Sequence, residues 1–127
     1  MIRRCREKGL NVQLDNIVDP ASVSGRIQNI VCDNVLEHLS IEELHQFFLT
    51  VVRVLECGGV LLVVTPNHRG YLSDPTHKTE VNINYIESNI GRYGLILSKW
   101  YRYPIKCAWL AEAFIYNMNI FIIKASL

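Results

Sequence analysis

No charge of one sign dominates this sequence. Thirteen Lys plus Arg face 12 Asp plus Glu, for a formal charge of +1. A near-neutral chain has no large basic face, so nucleic acid is not expected as an electrostatic partner. No uncharged apolar run approaches the roughly 20 residues that span a bilayer, so no membrane span is expected. The opening stretch Met1-Ile2-Arg3-Arg4-Cys5-Arg6-Glu7-Lys8 is charged and leads into no apolar segment, so no secretory signal is expected either. The four cysteines, Cys5, Cys32, Cys57 and Cys107, stand far apart with no C-x-x-C pair, which leaves a zinc cage without a local signature. No spacing among the four histidines forms a metal motif, and no metal is expected. Free thiols fit a reducing, cytoplasmic compartment. Internal repeats and low-complexity tracts are absent as well.

What is present is apolar and ordered. Half of the 127 residues are hydrophobic, enough for a core and for one domain over residues 1–127. Met1–Lys8 reads as the tail of a helix, with Gly9 as its stop. Leu10–Leu14 alternates apolar and polar and predicts a short strand. Asp15 to Gly25 reads as loop. The run from Arg26 to Cys32 predicts a strand whose continuous apolarity suggests cover on both faces. Ser40 with Glu43 forms a capping box, and Leu44, Phe47, Phe48, Val51, Val52 and Leu55 follow at helical spacing. Cys57-Gly58-Gly59 ends that helix, and Val60–Val64 predicts a second apolar strand stopped by Thr65-Pro66-Asn67. A loop runs through Asp74-Pro75. Asn82 caps a short helix carrying Ile83, Ile86 and Ile90. Strands are then predicted over Leu95–Tyr101 and about Ile115–Lys124, with a helical turn in the connection. Alternating helices and apolar strands argue α/β with a mostly parallel sheet and an antiparallel closing strand pair.

Two stretches carry a resemblance. Asp33-Asn34-Val35-Leu36-Glu37-His38-Leu39 is followed by a helix and then by Arg53-Val54-Leu55-Glu56-Cys57-Gly58-Gly59-Val60-Leu61-Leu62-Val63-Val64-Thr65-Pro66-Asn67. Together they resemble the second half of class I S-adenosylmethionine-dependent methyltransferases, three elements in the right order and at the right spacing. Asp74-Pro75-Thr76-His77 also resembles a branch acting on small molecules or sugars. The resemblance implies a partial Rossmann-like sheet, S-adenosylmethionine as cofactor and methyl transfer to a small-molecule or sugar-type acceptor. The family's glycine-rich cofactor turn has no counterpart here, since none of the seven glycines forms G-x-G. Met1–Lys8 resembles the helix after the family's second strand, so the chain is expected to start after the principal cofactor site, as a truncated domain. The family sheet order 3-2-1-4-5-7-6 then leaves one edge of Ile27–Cys32 open. Three outcomes are open: Leu10–Leu14 docks directly on that edge, another chain supplies the missing strands, or the chain is a truncated product. The alternative function is a non-catalytic remnant or partner subunit that associates through the edge. Self-association through that edge is an expected outcome too.

The resemblance also proposes site residues, each with a plainer alternative. Asp15 and Asn16 follow the family's third strand and would contact the cofactor; the alternative is a turn. Asp33 and Asn34 end the strand beneath the methyl-transfer point and would line the cofactor pocket; the alternative is strand-end hydrogen bonding. Glu37 would bind a polar substrate group or orient His38. His38 and His77 are candidate general bases for a hydroxyl or amine acceptor, or else shape a turn and a solvated loop. Asn67 is a candidate substrate contact at a strand exit.

Overall fold

The computed structural model describes residues 2–19, 22–114 and 116–126. Along them run α1 (Ile2–Glu7), β1 (Ile27–Asp33), α2 (Ile41–Val54), β2 (Leu55–Pro66), α3 (His68–Ser73), α4 (Ile83–Asn89), β3 (Leu95–Tyr103), α5 (Ala108–Ala111) and β4 (Met118–Ala125). The strands form one sheet in the order β1-β2-β4-β3. β1 lies parallel to β2, with Val31 opposite Leu62, and β4 runs antiparallel to both β2 and β3. The α/β class and the antiparallel closing pair are therefore as expected. Among the described strands β1, β2 and β3 point the same way, and β4, inserted between β2 and β3, runs against them.

The expected strand Leu10–Leu14 is not formed. Residues 10–16 carry no regular structure, and Leu10 and Leu14 are 55% and 79% exposed. Alternation makes a strand only where a neighbour pairs with it and a surface receives its apolar face. Residues 10–14 have neither. They do not dock on the outer edge of β1, which has no strand partner among the described residues.

The core lies on one face of the sheet. Ser40 caps α2 through the predicted box: its hydroxyl accepts from Glu43 N at 3.2 Å, and its own N–H donates to the Glu43 carboxylate at 2.7 Å. That start sets the phase of the helix. Leu44, Phe47, Phe48 and Val51 are buried with Leu61, Val63, Phe121 and Ile123 in one cluster, each side chain contributing about 1.5–3 kcal/mol. Leu55 already belongs to β2. At Gly59 an added Cβ would lie 2.7 Å from Gln28 O, so only glycine lets β2 come this close to β1. Across the sheet, Val60, Leu62 and Val64 are half-buried and Val31 is 65% exposed. The unbroken apolarity of these strands is thus covered fully on one face only.

Asn82 caps α4 by accepting from Tyr85 N at 3.0 Å, and Ile86 and Ile90 reach the core. Residues 68–73, expected as loop, form α3. No described helix is long and apolar enough to cross a membrane.

Candidate functional site

The chain turns sharply where β1 ends. Asn34 takes a positive φ of 52°, which asparagine tolerates better than most residues. Its N–H donates to Val64 O at 3.0 Å, and its side-chain amide donates to Asp33 at 2.8 Å. Both residues are exposed at the C-terminal end of a parallel strand, where ligands bind in open α/β sheets. The turn feeds a 3-10 segment, Leu36–His38, whose Leu36 and Glu37 are buried. Leu36 anchors the segment in the core, and Glu37 is carried in with it.

The loop after α3 folds onto this segment. Glu37 O accepts from Lys78 N at 2.7 Å and from Thr79 N at 3.2 Å, and Thr79 Oγ1 donates to Leu39 O at 2.7 Å. Lys78 Nζ adds a 3.0 Å ion pair to Glu43. These bonds bring His77 to His38, with ring centroids 4.8 Å apart. One ligand-type atom from each of Glu37, His38 and His77 lies within 4.8 Å of the others. Neither the pairing of the two imidazoles nor their convergence on Glu37 is visible in sequence spacing. It depends on α3 and on where the loop docks.

The hydrogen bonds place a proton on Nδ1 of both imidazoles. His77 Nδ1 lies 2.8 Å from Tyr71 O; a carbonyl only accepts, so Nδ1 carries the proton. Thr76 Oγ1 donates its single proton to Asp74 Oδ1 at 2.7 Å. His38 Nδ1, 3.1 Å from that hydroxyl, must therefore donate to it. In the neutral form of each ring the lone pair then sits on Nε2. Tyr71, which sequence reasoning missed, also stacks on His77 at 5.8 Å.

Glu37 is 1% exposed, and neither carboxylate oxygen has a hydrogen-bond partner. Burial pushes its carboxyl above the usual carboxylate range; the Asp33 charge adds to the rise, and positive charge on His38 or His77 would oppose it. Burial, then the charge of Glu37, pushes the Cys32 thiol up to about 11. Hydrogen bonds from the Thr76 hydroxyl and N–H hold Asp74 below its usual range. A carboxylate oxygen and one nitrogen of each imidazole thus lie within 4.8 Å of one another, and no donor among the described residues reaches the carboxylate. Such a place can take a proton from an acceptor hydroxyl or hold a cation.

The other expected site residues lie elsewhere or are otherwise engaged. Asn16 closes a turn, with its side chain accepting from Val18 N at 3.2 Å. Asp15 is exposed beside it, outside any strand. Asn67 is buried: its Oδ1 accepts from Gly70 N at 2.9 Å, and its amide donates to Ala111 O and Phe114 O at 2.8 and 2.7 Å. Both amide protons are spent on protein, so Asn67 holds α3 and α5 in place and has none left for a substrate. His45 and His68 are exposed, bonded to Tyr93 and Glu80.

Comparison with solved structures defines the class of fold. A SAM-dependent methyltransferase from Archaeoglobus fulgidus superposes with a TM-score of 0.74 at 16% identity, over 98% of this chain and 72% of that one. The N-methyltransferase NodS from Bradyrhizobium japonicum, in complex with S-adenosyl-L-homocysteine, gives 0.69 at 14% identity, over 97% and 60%. The (4+2)-cyclase SpnF gives 0.70 at 13%, over 99% and 61%. No family model and no curated protein matches the chain. The chain has the fold of the class I S-adenosylmethionine-dependent methyltransferases, and spans 60% to 72% of the length of the structures it matches. A cyclase on the same frame shows that the fold alone does not specify the reaction.

Proposed function

We propose that this chain forms the acceptor side of an S-adenosylmethionine-dependent methyltransferase for a small-molecule or sugar-type acceptor. One observation carries the reading: β1 lies parallel to β2 with its outer edge open among the described residues, and the polar group Asp33, Asn34, Glu37, His38 and His77 gathers at its C-terminal end. The cofactor fits only in part. Asp33 and Asn34 can line its sulfonium end, while Asp15 and Asn16 stay the candidates for its adenine. No glycine turn is present to let backbone approach its methionine part. The share of these polar residues is to position an acceptor and withdraw its proton, with His38 or His77 as general base through Nε2.

The open edge and the absent glycine turn also support a second reading, a non-catalytic subunit that pairs with another chain through β1. Titrating isotope-labelled chain with S-adenosylhomocysteine separates the two. Weak, roughly millimolar binding with resonance shifts centred on Asp33, Asn34 and Glu37 is expected. No site-specific shift at these residues favours the non-catalytic subunit. Micromolar affinity contradicts the division of the crevice, because the whole cofactor site would then lie in this chain.

A further inference from the structure

Glu37, His38 and His77 pose a charge problem that a proton relay does not solve. Three ligand-type groups come within 4.8 Å of one another: a carboxylate with both oxygens buried and unpartnered, and two imidazoles whose Nδ1 protons are committed to Thr76 and to Tyr71 O. Buried acceptors of this kind are satisfied by donors or by a cation, and no described donor reaches the carboxylate. The outer contacts match those of a metal ligand sphere. A ligating histidine usually donates its second ring N–H to a carbonyl or polar oxygen, which fixes the tautomer and aims the other nitrogen. Here both rings do so. Asp74 Oδ2 stands 3.9 Å from His77 Nε2, so a further carboxylate borders the same nitrogen.

We propose that Glu37, His38 and His77 bind a divalent transition-metal ion of the Zn2+ type, leaving the remaining coordination positions to water or to an oxygen of the acceptor. A two-histidine, one-carboxylate set suits ions that take imidazole nitrogen, and not Mg2+ or Ca2+, which take oxygen. Bonds of about 2.0–2.2 Å put two ligands of one ion at most roughly 4.2 Å apart. The present spacing, within 4.8 Å, therefore needs side-chain closure of about half an ångström. His38 and His77 are half-buried while Glu37 is not accessible, so the ion enters from the histidine side. With the ion bound, the ring nitrogens would be ligands and no longer free bases; the ion would acidify a bound acceptor hydroxyl, whose proton would leave to solvent water. Binding itself does not depend on methyl transfer.

The test is calorimetry of the whole chain with ZnCl2, with MgCl2 as comparison, together with the absorption spectrum of the CoCl2-loaded protein. One Zn2+ per chain at micromolar affinity or tighter is expected, with no Mg2+ binding at that strength. Co2+ should show bands of nitrogen and oxygen ligation without thiolate charge transfer. His38→Ala and His77→Ala should each weaken Zn2+ binding about 100-fold, while His45→Ala leaves it unchanged. Circular dichroism checks that each variant is folded, and the Co2+ spectrum of the unmutated chain decides the matter should they not fold. Absent Zn2+ binding, affinity indifferent to both histidines, or loss of binding only in Cys57→Ser or Cys107→Ser would overturn the proposal. A methyltransferase lacking this metal, or a metal protein without methyl transfer, remain distinguishable outcomes because the readouts do not involve the cofactor.

Discussion

Replacing Glu37 with glutamine preserves the side chain's shape and removes its charge. Both oxygens of the glutamate are buried without a partner. An unpaired buried carboxylate costs the fold several kcal/mol at most, and about 2–3 kcal/mol is a working value once its two imidazole neighbours are counted. The glutamine amide also brings protons that the Nε2 lone pairs accept. Metal-free Glu37→Gln protein, kept in chelator, is therefore expected to be more stable than wild type by about 2–3 kcal/mol at about pH 8, or roughly 6–15 °C in Tm for a domain of this size. The pH dependence is the stricter part. Folding raises the pKa of Glu37 above its ordinary 4.5. Below the unfolded value the carboxyl is protonated in both states and wild type carries no penalty; stability is lost as pH rises toward the raised folded value. Urea melts of both proteins near pH 4 and near pH 8 should thus show a small gap that widens with pH. A variant less stable than wild type at the higher pH, or a gap of equal size at both, refutes the reasoning.

Two further predictions concern the scaffold. Asn67→Ala removes the α3 cap and leaves two carbonyls without their donor, so it should cost about 2–4 kcal/mol in denaturant melts; a loss of acceptor binding at unchanged stability would instead restore Asn67 as a substrate contact. In the native chain the exposed Cys57 and Cys107 should alkylate before Cys32, whose buried thiol is held up to about 11, and mass spectrometry of the modified sites reads the order. Early labelling of Cys32 would show that β1 opens readily.

Where sequence and structure agree, local chemistry is the reason. The Ser40–Glu43 box, the Asn82 cap and the apolar stripe of α2 are short-range signals that tertiary contacts reinforce. Legibility ends where long-range contacts decide. Leu10–Leu14 has a strand's pattern, but a strand also needs a partner. No apolar period marks His68–Ser73 as the helix α3, although Asn67 three residues before Gly70 is a cap signal. Glu37 and His38 were singled out from adjacent positions and His77 from a separate loop. Their meeting follows from the backbone bonds of Lys78 and Thr79 to Glu37 O, which no spacing encodes.

β1 stands beside β2, and its other edge carries no strand among the described residues. Asn34 N–H points to Val64 O, so by strand alternation the amides of Ile30 and Cys32 also face β2, and those of Asn29, Val31 and Asp33 face outward. Residue-resolved hydrogen exchange on the isolated chain reads this directly. The account predicts slow exchange at Ile30 and Cys32 with fast exchange at Val31 and Asp33. Equal protection at all four would contradict it, since another strand would then already occupy the edge.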